Sequence, residues 1–235
     1  MNPQKRRRNE DEAGTEQNSP KRPKVLSWDA SEPLDLEDWR VDNMPGAEVY
    51  YVPKFIDSST CDEWFSELDA LPTWYHPTLK VYGKNVRQSR SIAAYASSTK
   101  ITAKYSGHEV VMHYPPEIPE ILSKIWARVS RALGMEFNHV MLNRYASGAE
   151  YIGKHRDTKE NVVIVSLSLG AERTFIMAPN KTIAAQGAVT KKWTLGNGSL
   201  LVMQGSTQDN WKHEIPQERR IKEGRISLTF RQLPE

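Results

Sequence analysis

Across 235 residues the chain carries 32 lysines and arginines against 29 acidic residues, a net charge of +3. Its one cysteine, Cys61, excludes an internal disulfide framework and suits a reducing compartment. No apolar run reaches membrane-spanning length and no signal-peptide pattern opens the chain, so the expectation is one folded domain, monomeric and without a membrane partner.

Residues 1–28 hold seven Lys/Arg and four Asp/Glu, so this stretch alone accounts for the net charge and the remainder balances at 25 against 25. With almost no apolar side chains it cannot offset the entropy of ordering, and a disordered basic tail is expected. Lys5-Arg6-Arg7-Arg8 and Pro20-Lys21-Arg22-Pro23-Lys24 flank an acidic spacer, the pattern of a nuclear import signal. That pattern implies the import machinery as a partner and the nucleus as the location. Residues 29–46 read as a linker, and the folded domain is expected over 47–235.

Ala47 to Phe55 reads as a strand, and Ser58 to Leu71 as an amphipathic helix capped by Ser58 or Ser59, with Cys61 as core filler. A change of charge follows. Residues 29–69 hold twelve acids and two bases, whereas Ala70 to His108 contain no acid but six cations: Lys80, Lys84, Arg87, Arg90, Lys100 and Lys104. This segregation predicts a basic face that can meet phosphates, carried on short strands and turns from Pro72 to Lys104. Within it, Val81-Tyr82-Gly83-Lys84 has the form of a hairpin tip. Tyr82 there either wedges into a base stack or packs within an ordinary hairpin.

Pro116 to Leu133 reads as a second helix, with Ile118, Ile121, Leu122, Ile125, Val129 and Leu133 on one face and Gly134 as its stop. From Met135 the pattern is strands: Asn138–Tyr145, Val162–Leu169, Thr174–Met177, Ala188–Leu195, Ser199–Met203 and Arg225–Leu233. Helices followed by a run of short strands fit an α+β, mainly β fold with helices packed on a jelly roll.

His155-Arg156-Asp157 and His213 supply two imidazoles and one carboxylate, the ligand set of a non-haem Fe(II) facial triad. Residues i and i+2 of an extended segment point the same way, so His155 and Asp157 can converge on one ion. His213 lies 56 positions beyond Asp157 and must be returned by the fold. His76, His108, His113 and His139 have no partner at ligand spacing and read as structural or surface residues. In the last strand, Arg225, Ser227, Thr229 and Arg231 share one face, with Ile226, Leu228 and Phe230 on the other. Paired guanidiniums on a core strand call for an anion, and a dicarboxylate would satisfy both. Asn143 and Tyr145 share a face of an earlier strand as further hydrogen-bonding groups.

Asn143-Arg144-Tyr145, His155-Arg156-Asp157, Ser166-Leu167-Ser168-Leu169-Gly170, Gly198-Ser199-Leu200-Leu201, Trp211-Lys212-His213 and the Arg225-to-Arg231 ending follow the order found in AlkB-type dioxygenases. The resemblance runs from about Val52 to Arg231 and is closest to the eukaryotic homologues that act on duplex DNA. It implies a double-stranded β-helix with two buttressing helices and a nucleotide-recognition lid over 70–108. It implies Fe(II) on His155, Asp157 and His213, with 2-oxoglutarate as cosubstrate and O₂ as oxidant. Arg225 and Tyr145 would hold the distal carboxylate, Arg231 and Asn143 the C1 end, and the Ser227 and Thr229 hydroxyls would line the same site.

Nucleic acid, DNA rather than RNA, is the implied substrate. Tyr82, Gly83, Lys84, Arg87 and Arg90 would meet the duplex, Tyr105 would stack on the flipped base, and Arg219 and Arg220 would grip phosphates together with Lys222. The activity implied is demethylation of bases such as 1-methyladenine and 3-methylcytosine. Two departures bear on the base: Ala103 replaces an aromatic, and the run after the H-x-D pair reads Thr158-Lys159-Glu160-Asn161 where the family continues with acids. A third, Ser227 in place of an asparagine, keeps a hydroxyl that can donate to the cosubstrate. Lys159 disfavours a cationic base, and Glu160 compensates if it turns inward. RNA, a neutral methylated base such as 6-methyladenine or 5-methylcytosine, or a protein substrate remain the alternatives.

Overall fold

The structure is a computed structural model that describes residues 33–81, 83–105, 108–158 and 161–234. The basic tail, Tyr82, Lys159 and Glu160 lie outside the described residues, as do the side chains of Lys80, Val81, Tyr105 and His108.

In chain order the first half contains β1 (Glu48–Val52), α1 (Ser58–Asp69), β2 (Thr78–Val81), β3 (Lys84–Arg87), β4 (Ser91–Ala96), β5 (Lys104–Tyr105), β6 (His108–Glu109), β7 (Met112–His113) and α2 (Glu120–Leu133). The second half contains β8 (His139–Tyr145), β9 (Ile152–His155), β10 (Val163–Gly170), β11 (Arg173–Pro179), α3 (Lys181–Ala185), β12 (Lys191–Leu195), β13 (Leu200–Gln204), α4 (Thr207–Asn210), β14 (Trp211–Ile215) and β15 (Arg225–Arg231). Seven strands form one sheet in the order β1-β13-β10-β15-β8-β4-β7, and four form a second in the order β12-β11-β14-β9. The two sheets make the double-stranded β-helix, with the site between them. None of the helices among the described residues is long and apolar enough to cross a membrane.

The strict period of β15 decides its position. Ile226, Leu228 and Phe230 enter the core shared with the helices, together with Trp64, Leu68, Ile125 and Val129, while Arg225, Ser227, Thr229 and Arg231 face the cavity between the sheets. The backbone N–H and C=O groups of so deeply buried a strand must be paired, and antiparallel β10 and β8 supply partners on its two edges. A second apolar cluster, including Ile164, Phe175, Met177, Leu201 and Trp211, fills the space between the sheets.

Helix ends follow their caps. Asp57, not Ser58 or Ser59, caps α1: its carboxylate accepts from the Thr60 N–H at 3.0 Å and from the Ser59 hydroxyl at 2.6 Å. α2 starts at Glu120 because Pro119 is extended, and it stops as expected at Gly134, whose φ of 60° is costly for any residue with a Cβ. The linker expected over 29–46 is, in its described part, folded structure. Leu36–Trp39 form a 3₁₀ turn, Leu34, Leu36 and Trp39 pack on the core, and the Leu34 N–H donates to the Ala132 carbonyl at 2.7 Å. Its acidity hid an apolar anchor. The strand expected from Ala188 begins only at Lys191, because α3 and a turn through Gly187 (φ 92°) precede it.

Candidate metal centre and cosubstrate pocket

β9 and β14 lie side by side, with His155 opposite His213 in register, so the ring centroids are 4.3 Å apart. Asp157 follows β9 by two residues. One ligand atom from each of the three residues falls within a 4.8 Å cluster. The Nδ1–H of His155 donates to the Gly153 carbonyl at 2.8 Å, which leaves the Nε2 lone pair for an ion. Arg231 donates through Nη2 to Asp157 Oδ1 at 2.9 Å, and Oδ2 lies 4.0 Å from His213 Nε2.

Protonation suits a cation. Burial pushes His213 down to about 3, with His155 adding to the effect, and burial also lowers His155. Burial alone would raise Asp157, but Arg231 and the two imidazoles outweigh it and hold the carboxyl below its usual range. Near neutral pH the set is two neutral imidazoles and one carboxylate, the form that binds metal without first losing protons.

Asn143, Tyr145, Arg225, Ser227, Thr229 and Arg231 line the same cavity as the three ligands. Arg225 is 2% exposed and donates through Nη2 to Ser168 Oγ at 2.9 Å, yet its Nε and Nη1 find no acceptor among the described residues. A buried guanidinium with open donors is strongly unfavourable unless an anion completes it. The pocket therefore fits both an Fe(II) ion and a dicarboxylate.

The model of the 2OG-Fe(II) oxygenase superfamily matches residues 48–231. The chain belongs to the 2OG-Fe(II) oxygenase superfamily. It is similar to DNA oxidative demethylase ALKBH2 of Homo sapiens, at 32% identity over 83% of this chain and 77% of the human protein. The ALKBH2 of Mus musculus is 31% identical, covering 87% of each chain, and that of Arabidopsis thaliana 30% identical over 79% of this chain and 66% of the plant protein. The solved structure of OsALKBH1 shares the fold, with a TM-score of 0.53 at 19% identity over 80% of this chain and 99% of that one. This is an AlkB-type oxygenase, an Fe(II)- and 2-oxoglutarate-dependent dioxygenase.

In this oxygenase the substrate-facing residues do not all lie where expected. Arg90 is 1% exposed and donates through Nε to Asn143 Oδ1 at 2.7 Å, so it is a wall of the cavity that holds His155, Asp157 and His213 and not a surface phosphate contact. Its partner lies 53 residues away, and the basic segment around it disguised that role. Lys84 and Arg87 are exposed on the β2–β3 hairpin, whose tip turns at Gly83 with φ 77°. Arg219 and Arg220 are exposed between β14 and β15. Of the remaining histidines, His139 is buried and both its ring nitrogens lack a partner among the described residues.

Sequence reasoning missed Gln208, which is buried on α4 and accepts the Asp157 N–H at 3.0 Å. It also missed Arg173, buried at the start of β11. Neither carries a local signal, because each acts through a partner distant in sequence.

Proposed function

We propose that this oxygenase removes N-methyl groups from alkylated bases in DNA. One observation carries the reading. The similarity to DNA oxidative demethylases extends over 87% of this chain in the mouse protein, a span too long to leave out the basic segment over 70–108. His155, Asp157 and His213 would hold the ion, Gln208 and Arg231 fixing the backbone and carboxylate of Asp157. Arg225 takes the distal carboxylate of 2-oxoglutarate on its open Nε and Nη1, assisted by Tyr145. Asn143 and Arg231 serve the C1 end, with Ser227 and Thr229 as neighbouring hydroxyls. When bound, iron with 2-oxoglutarate and O₂ supplies the oxidation of the methyl C–H bond, yielding succinate, CO₂ and formaldehyde.

The chain's own contribution on the substrate side is to extract and hold the base. Tyr82, next to the Gly83 turn, wedges into the stack, Tyr105 stacks on the flipped base, and Lys84, Arg87, Arg219 and Arg220 take phosphates. Glu160 offsets the charge of 1-methyladenine or 3-methylcytosine. Lys159, beside it, favours the second reading, a neutral methylated base. The tail carries the protein to the nucleus, where it works as a monomer. The test is a panel of single- and double-stranded DNA and RNA oligonucleotides carrying different methylated bases, incubated with Fe(II) and 2-oxoglutarate and followed by mass. Loss of methyl from the cationic lesions in DNA supports the proposal. Loss only from a neutral base, only from RNA, or from none of them contradicts it.

A further inference from the structure

Arg173 makes a set of contacts that the metal chemistry does not account for. At 1% exposure its guanidinium bonds Glu218 Oε2 through Nε at 3.1 Å. Nη2 donates to the Glu150 and Pro216 carbonyls at 2.8 and 2.7 Å, and Nη1 to the Ser147 carbonyl at 3.4 Å. Glu218 is itself fixed, accepting from the Thr174 N–H at 2.9 Å and its hydroxyl at 2.6 Å. With all three of its nitrogens bonded, the guanidinium is a cation with no freedom to move.

That immobile cation lies over the ring of Tyr145, with Cζ 5.4 Å from the ring centroid, while Arg225 Cζ lies 5.3 Å from the same centroid. Arg225 reaches the ring from the neighbouring strand of the same sheet, opposite Tyr145 in register, whereas Arg173 comes from the opposing sheet. The electron-rich face of a phenol attracts both cations. The two arginines differ in one respect: Arg173 has every nitrogen bonded, and Arg225 keeps two donors open. Tyr145 is therefore held by a cation that cannot yield, against a cation that awaits an anion.

We propose that Arg173 is a positioning residue for 2-oxoglutarate: anchored by Glu218, it fixes the Tyr145 ring, and through it the side chain of Arg225, at the distal-carboxylate end of the pocket. Loss of Arg173 leaves the ring free to shift and Arg225 free to tilt, so the distal end of the pocket loosens while the three metal ligands, held by their own bonds, stay in place.

The experiment measures binding by calorimetry in the full chain with Mn(II) in place of iron, using Mn(II) alone, 2-oxoglutarate, and oxalate, which chelates the ion but has no distal carboxylate. Arg173→Met, which keeps the stem and removes the cation, is expected to weaken 2-oxoglutarate on the order of tenfold, a loss of one cation–π contact in a desolvated site. Mn(II) and oxalate affinities should stay within about twofold, a split that a general structural role does not produce. Arg173→Lys should recover part of the loss. If Arg173→Met does not fold, Glu218→Gln, which loosens the arginine without removing it, should still weaken 2-oxoglutarate about threefold and spare oxalate. Equal losses for oxalate and 2-oxoglutarate, or unchanged 2-oxoglutarate affinity in whichever variants fold, would overturn the proposal.

Discussion

Replacing His139 with leucine isolates a pH-dependent component of stability that the fold makes unavoidable. His139 is opposite Arg231 in the β8–β15 register, 1% exposed, with both ring nitrogens unpartnered among the described residues. Burial, reinforced by Arg231 and only partly opposed by Asp157, takes its pKa from 6.5 down to about 3. The unfolded chain therefore binds a proton between pH 6.5 and 3 that the folded chain refuses, so stability falls as pH falls through that window and is fully present above it. At pH 5 the difference amounts to about 1.5 pH units of linkage, roughly 2 kcal/mol, against about 0.2 kcal/mol at pH 7. Urea unfolding of the metal-free protein at pH 7, 6 and 5 should then show the His139→Leu variant gaining roughly 2 kcal/mol on the native chain over that range. His213 and His155 titrate in both proteins and cancel in the comparison. Parallel pH profiles would show that His139 takes up a proton in the folded state and that its burial does not control its charge.

Further outcomes follow from the pocket and the lid. Arg225→Met removes the two open donors and should raise KM for 2-oxoglutarate about a hundredfold, with binding of Mn(II) alone unchanged; a KM within a few fold of normal would place the distal carboxylate elsewhere. Lys84→Glu with Arg87→Glu should weaken duplex binding and flatten its salt dependence, each lost phosphate contact lowering the slope of log K against log salt by about 1. Unchanged binding would move the phosphate contacts to the N-terminal tail. Tyr82→Ala should impair demethylation of duplex far more than of single strands, and equal losses would make Tyr82 structural.

The parts legible in the sequence were those with strict local period. β15 alternates without error, and that period alone marks it as a core strand with one face on a pocket. β14 carries the same signal, with Trp211, His213 and Ile215 buried between outward Lys212 and Glu214, yet five residues beside a loop are short enough to be passed over. Charge misled where pairing is tertiary. Arg90 sits in an acid-free segment and looks like its exposed neighbours, while its burial and its bond to Asn143, on β8, show that it turns inward. Arg173 is likewise decided by Glu218, 45 residues on. The acidic stretch before β1 hid Leu34, Leu36 and Trp39, because composition averages over a segment while packing depends on single side chains.

The most direct measurement quantifies succinate and formaldehyde together from a methylated DNA duplex, for the native protein and for Asp157→Ala. The native protein should release the two in equal amounts, only with Fe(II) and 2-oxoglutarate present, and the variant should release neither while remaining folded by circular dichroism. Iron-dependent succinate from Asp157→Ala would remove Asp157 from the metal centre. Succinate without formaldehyde from the native protein would leave the oxygenase in place and take methylated DNA away as its substrate.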